Sequence, residues 1–292
     1  MRPATPSVSG RADLADRVVA YASRIDARFG ACITRLDDTG SLDIVAAHEP
    51  DRPYTAASVI KLPVFAALYR KYDGCLASLD EPRPIASEND VGGSGVLHLF
   101  DGVEPTLRDL SRAMIAISDN AATNKLIDHI GVDAVNDTAA EIGMSHTYLG
   151  RKMMMTLDRS VESSGIEPED RVETGPGVRT NTTAPLDCGR FFHELYFGDL
   201  LSDRASRDML ESLRNQKDIS MFARYAPDDV DISHKTGWLP DAALDTGVVG
   251  TDADRPLFFA VFVDDADHGG DATDIIAETG DLVLEWAGQA GR

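Results

Sequence analysis

"AASVIKLPVF", residues 56–65, places one charge inside an apolar run: Lys61, three residues after Ser58. Three residues apart on a helix, both side chains share a face and the amine reaches the hydroxyl. An ammonium packed among Ile60, Leu62, Val64 and Phe65 is poorly solvated, which disfavours its charged form and suits it to act as base for a serine. Pro63 cannot sit deep in a helix, so the helix must begin close to Ser58 and leave free backbone N–H groups beside that hydroxyl, useful to an oxyanion. The plainer reading is an N-cap serine and a lysine that snorkels to solvent. The S-x-x-K pattern occurs only once in the chain.

Two more elements lie downstream. In "AISDNAATN", 116–124, Ser118-Asp119-Asn120 falls where one apolar helix ends (Leu110, Met114, Ile117) and another begins (Leu126, Ile127, Ile130). These residues are favoured N-caps, but a Ser118 hydroxyl can also relay a proton and an Asn120 amide can hold a substrate carbonyl. In "SHKTGWLPD", 233–241, Lys235-Thr236-Gly237 lies on a predicted strand before a turn at Pro240. Gly237 lets a ligand approach the backbone closely, whereas the plain alternative is an edge strand guarded by a lysine. Each element has a bland explanation; their occurrence together, once each and in this order, does not.

Around these motifs the 292-residue chain reads as α+β. Apolar residues at helical spacing predict helices over 13–29 and 272–287, and β-rich runs predict strands in "GACITRL", "SLDIVAA", "DTGVVG" and "PLFFAVFVDD". The last run is so continuously apolar that it should be a central, covered strand. Helices are expected at 58–73, 106–117, 120–130, 133–143, 185–197 and 203–214. The ends thus supply a mostly antiparallel five-stranded sheet with flanking helices, an αβα sandwich over 11–55 and 215–292, and residues 56–214 supply an inserted helical subdomain. Residues 1–10 read as a disordered tail and 158–184 as a long polar Ω-like loop.

The charge narrows the partners. With 36 Asp and 13 Glu against 22 Arg and 6 Lys, the net charge is −21, a field that repels nucleic acid and anionic lipid. An Asp-rich, Lys-poor surface also reads as adaptation to high salt. No apolar run approaches membrane-spanning length and the start has no export-signal pattern, so a cytoplasmic protein is expected. Cys32, Cys75 and Cys188 read as reduced, mostly buried thiols. The stretch 263–274 does not make a calcium loop, because Gly269 stands where an oxygen ligand belongs and Ile276 where a bidentate glutamate should be. The histidines lack metal-ligand spacing, and no cofactor is expected.

Ser58-x-x-Lys61, Ser118-Asp119-Asn120 and Lys235-Thr236-Gly237 resemble the three signature motifs of class A β-lactamases and related penicillin-binding proteins. The resemblance covers nearly the whole chain and implies the same fold, with the active site at the seam of the two subdomains. Two of the six lysines fall in these motifs although arginine fills most other basic positions, as expected if both must be primary amines. The resemblance implies Ser58 as acylated nucleophile and Lys61 as, or part of, its base. It implies that Ser118 passes a proton to the departing nitrogen and that Asn120 orients Lys61 and substrate. Lys235 and Thr236 would bind a substrate carboxylate, and the N–H groups of Ser58 and Trp238 would form the oxyanion hole. A small, anionic substrate fits a local cationic pocket made by Lys61 and Lys235.

The family's deacylating glutamate has no clean counterpart. Glu162 and Glu167 are the candidates within the 158–184 loop, and without such a base acylation would outlast turnover. Trp238 is bulkier than the family's usual residue after the glycine. Arg224 offers a possible second carboxylate contact, with a surface arginine as the plain alternative, and His234 should point to the strand face opposite Lys235. The expected activity is opening of a β-lactam or a related cyclic amide or ester. The alternatives are a peptidase or esterase with the same nucleophile, or a penicillin-binding sensor that does not turn over.

Overall fold

In the computed structural model, residues 11–23, 26–37, 39–84, 91–154, 181–250, 256–267 and 269–288 are described. Strand β7 (Leu257–Asp264) is buried along its whole length and lies at the centre of a five-stranded sheet, as its unbroken apolar run predicts. Its side chains alternate between two cores: Phe258, Ala260 and Phe262 enter one, and Phe259, Val261 and Val263 the other. Both faces must therefore be covered, and each buried phenylalanine contributes roughly 2–3 kcal/mol toward that packing.

The sheet order is β2-β1-β7-β6-β5, antiparallel throughout. Strands β1 (Arg28–Leu36) and β2 (Leu42–His48) come from the start of the chain, and β5 (Ile232–Leu239) and β6 (Ala242–Val249) from its last third. One face is covered by α1 (Arg11–Ala22) and the last helix, α8 (Gly269–Trp286), through Leu14, Val18, Ile276 and Val283. The other face carries α2 (Lys61–Tyr72), α3 (Leu107–Ala116), α4 (Asn120–Ile130), α5 (Val132–Ile142), α6 (Pro185–Phe197) and α7 (Asp203–Arg214). The result is the expected αβα arrangement, its sheet built from both ends of the chain. Strand β5, which carries Lys235, is an outer strand.

Two expectations change. The helix predicted over 13–29 stops at Ala22, and Phe29 instead pairs with Val263 in the sheet. Its apolar side chain suited the helical period, but the ladder beside β7 satisfies its backbone and buries its ring together. Two short strands, β3 (Tyr54–Thr55) and β4 (Thr182–Thr183), also pair where no strand was expected. Two residues are too few to leave a periodic signature. Residues 155–180 lie outside the described residues, and with them most of the 158–184 loop, including Glu162 and Glu167; so does the 1–10 tail.

Asp264, in the acidic stretch near the end, accepts from Arg28 Nη2 at 2.8 Å and from the Thr55 N–H at 3.0 Å. Among the described residues, no group of three or more His, Cys, Asp or Glu could hold a metal ion, and no helix is long and apolar enough to cross a membrane. Cys32 and Cys188 are buried free thiols, pushed up to about 12 by that burial, whereas Cys75 is free and exposed.

Candidate active site

Ser58 lies in a 3₁₀ turn, Ala57–Ile60, that feeds directly into α2. The turn is pinned from both sides of the cleft: the Thr55 N–H donates to Asp264 of the central strand, and the Ala56 N–H to the Asn181 carbonyl at 2.9 Å. Ala57 is held at φ +44°, a left-handed conformation that costs a non-glycine residue about 1 kcal/mol and rotates Ser58 to the mouth of the helix. Neither plain reading survives. The side chains at the starts of the turn and helix make no capping bond, and Lys61 is 0% exposed rather than snorkelling.

Lys61 Nζ lies 3.1 Å from Ser58 Oγ, 3.0 Å from Ser118 Oγ, 2.6 Å from the Ser118 carbonyl and 2.9 Å from Asn120 Oδ1. The last two atoms only accept hydrogen bonds, so they take two N–H groups. A neutral amine would then have one lone pair left, able to accept from one of the two hydroxyls at a time. Burial lowers the Lys61 pKa well below its usual value, and the neighbouring Lys235 ammonium lowers it further against the opposing charge of Asp119. Electrostatics thus shift the balance toward the unprotonated form.

Ser118 has φ +58° at the joint between α3 and α4. That conformation aims both its carbonyl and its hydroxyl at one amine, so the strain accompanies a specific contact. Asp119 is the true cap: its Oδ1 accepts the Ala122 N–H at 2.8 Å, while Oδ2 accepts the N–H groups of Val96 and Leu97 at 2.7 and 2.9 Å. One carboxylate therefore starts α4 and gathers the facing loop. Asn120 completes this wall by donating from Nδ2 to the Gly92 carbonyl at 2.9 Å. The capping and chemical readings of Ser-Asp-Asn are both realised, on different residues.

Lys235, also 0% exposed, donates to Ser118 Oγ at 3.1 Å and to the Thr236 carbonyl at 2.6 Å. Burial lowers its pKa to about 8 despite Asp245 and Asp218 nearby. Gly237 allows a close approach: a Cβ there would stand 3.1 Å from both the Ser58 nitrogen and Ala57 Cβ, tighter than ordinary contact. Trp238 keeps 57% of its surface exposed and borders the cleft, so the ring widens the wall outward instead of filling the site. His234 turns the other way, with Nδ1 2.9 Å from the buried Asp245. Arg224 donates to the Ser220 carbonyl at 2.6 Å and pairs with Asp274, so it is the surface arginine of the plain reading.

These groups open on a cleft of about 440 Å³ bordered by Ser58, Asn120, Trp238, Gly93, Met154 and Asn181. Sequence reasoning found Asp119 as a candidate cap but missed its second role, holding a loop more than 20 residues upstream. It also missed Asn181, which holds the N–H groups of Gly150 and Arg151 at 2.9 and 3.0 Å while its backbone anchors Ala56. The asparagine opening "NTTAP" was the available signal. A half-buried serine beside a buried lysine, a second hydroxyl between two amines and a strand that approaches the serine nitrogen equip this cleft for acyl transfer.

Fold and site together define a serine hydrolase of the class A β-lactamase type. The family model described as Beta-lactamase enzyme family matches residues 13–287, and the chain belongs to that family. It is 26% identical to a β-lactamase of Rhodobacter capsulatus over 248 residues, 84% of this chain and 79% of the relative. A crystal structure of β-lactamase from Sphaerobacter thermophilus superposes with TM-score 0.78 at 31% identity, covering 96% of this chain and 98% of that one. PBP-A, solved in a mutant form as an acyl-enzyme complex with penicillin G, has the same fold, with TM-score 0.78 at 21% identity over 97% of this chain and 99% of that one.

Proposed function

We propose that the chain opens a β-lactam, or a similar cyclic amide or ester, through an acyl-enzyme on Ser58. The observation that carries this reading is Lys61, fully buried and held 3.1 Å from Ser58 Oγ. Neutral Lys61 takes the Ser58 proton as Oγ bonds to the carbonyl carbon. The N–H groups of Ser58 and Trp238 receive the oxyanion. When the ring C–N bond breaks, Ser118 gives its proton to the leaving nitrogen and recovers one from the adjacent amines. Asn120 orients Lys61 and the substrate amide, while Lys235 and Thr236 receive the substrate carboxylate. Hydrolysis of the acyl-enzyme needs a water-activating base, for which Glu162 and Glu167 are our candidates.

Intact-mass measurement over time with penicillin G tests this sequence of steps. Wild type should gain the mass of the intact penicillin and then release product, and Ser58→Ala should gain nothing. Wild type showing neither adduct nor product would sink the reading. If Glu162 or Glu167 is the deacylating base, its Gln variant should keep the adduct at least about tenfold longer. We further propose a cytoplasmic, salt-rich setting, supported by the exposed free thiol of Cys75 and the −21 charge; cell fractionation tests the location.

A further inference from the structure

Residues 151–154 line one wall of the cleft, and their backbone is held from two directions. Asn181 Oδ1 accepts the Arg151 N–H and its Nδ2 donates to the Arg151 carbonyl, both at 3.0 Å. Asn124, one turn after Asn120 on α4, accepts the Met153 N–H at 2.7 Å and donates to the Met153 carbonyl at 3.1 Å. From this fixed base Met154 departs at φ +58°, in the left-handed region that a residue with a side chain rarely adopts. Met153 is buried, yet Met154 keeps 67% of its surface exposed while bordering the cleft. A left-handed backbone and an exposed thioether are two costs on one residue, and such outliers gather where a ligand binds.

The place of the thioether follows from Gly93, which stands at φ +90°. A Cβ added there would lie 2.9 Å from Met154 Sδ and 3.0 Å from Asn120 Nδ2. The sulfur and the amide therefore sit side by side over the same bare stretch of backbone, and any side chain at Gly93 would displace them. Asn120 is the residue that orients the substrate amide in the proposed mechanism. A group attached to the acyl side of that amide must then pass the sulfur. A thioether is apolar and polarizable, and it contacts aromatic rings favourably, often at the ring edge.

We propose that Met154 is a specificity-determining residue that receives an aromatic substituent carried on the acyl side of the substrate. The inference rests on the acyl-enzyme reading above and specifies its substrate class.

Penicillin G and 6-acetamidopenicillanic acid differ only in the phenyl ring of the acyl substituent. Their second-order acylation rates, measured by intact mass on wild type, Met154→Ala and Met154→Gln with Ser58→Ala as blank, test the proposal. Wild type should react at least about fivefold faster with penicillin G, and a smaller preference overturns the proposal without recourse to any variant. Alanine keeps the backbone demand of an L residue and removes the thioether, so the rate ratio should fall at least about threefold. Glutamine keeps the length and makes the tip polar, so its ratio should fall with alanine's. A ratio unchanged in either variant, or an equal slowing of both compounds, overturns the assignment of Met154. Absence of any adduct from both compounds on wild type overturns the acyl-enzyme reading itself, a result distinct from adducts formed at an unaltered ratio.

Discussion

Two amines share one hydroxyl at the centre of this site, and their different surroundings separate their protonation states. Lys61 is driven well below its usual pKa by burial and by the Lys235 charge, whereas Lys235 falls only to about 8 because Asp245 and Asp218 oppose its burial. In the proposed mechanism acylation needs Lys61 neutral and Lys235 charged. Its rate should therefore rise with pH as Lys61 loses its proton and fall again as pH passes about 8 and Lys235 loses its own. Lys235→Arg, which stays charged, should move the falling limb to higher pH in a stopped-flow rate profile. A rate that keeps climbing past that pH in wild type would mean that Lys235 is not required as a cation. The serine–lysine pair was legible in the sequence because a charge in an apolar run is anomalous. Met154 was not, since nothing in "LGRKMM" shows that its second methionine will stand exposed at the cleft.

Helix ends and one strand edge position these residues. Asp119 serves α4 and the loop at Val96 and Leu97 with one carboxylate, so Asp119→Ala removes a cap and leaves two backbone donors without their partner. The variant should lose about 2 kcal/mol of stability by thermal or urea denaturation, with acylation impaired because Asn120 borders the same loop. A loss below about 0.5 kcal/mol would show that the loop holds itself. Gly237 makes the opposite case: Gly237→Ala presses a methyl group toward the Ser58 nitrogen, 3.1 Å away, at the site of the oxyanion. Acylation should fall about tenfold or more with little change in melting temperature, a combination readable by pairing nitrocefin kinetics with calorimetry. The helices over 120–130, 185–197 and 203–214 follow from their period and caps, and match the spans read from sequence. The β3–β4 pair does not, because two-residue strands exist only through their partner.

Over the whole molecule, a −21 charge on 292 residues makes the compact state repel itself, and added salt screens that repulsion. The melting temperature should rise by at least about 3 °C between about 0.1 and 2 M NaCl, equivalent to roughly 1 kcal/mol for a chain of this size. A flat or falling dependence by scanning fluorimetry would remove the case for salt adaptation. At this scale the apolar pattern was decisive: β7 could only be central, so the strands from both ends had to assemble around it.

By itself, then, the sequence determined the α+β class, the central strand, most helix spans and the three motifs that meet at Ser58. Those properties depend on local period and on residue types that are costly to misplace, such as a buried lysine or a glycine beside a backbone. Only the tertiary structure decided that Lys61 faces two hydroxyls and two fixed acceptors, that Asp119 joins a helix to a distant loop, and that Lys235 shares the Ser118 hydroxyl with Lys61. Each of these is a contact between segments far apart in the chain, whose relative placement is set by packing on the two faces of the sheet.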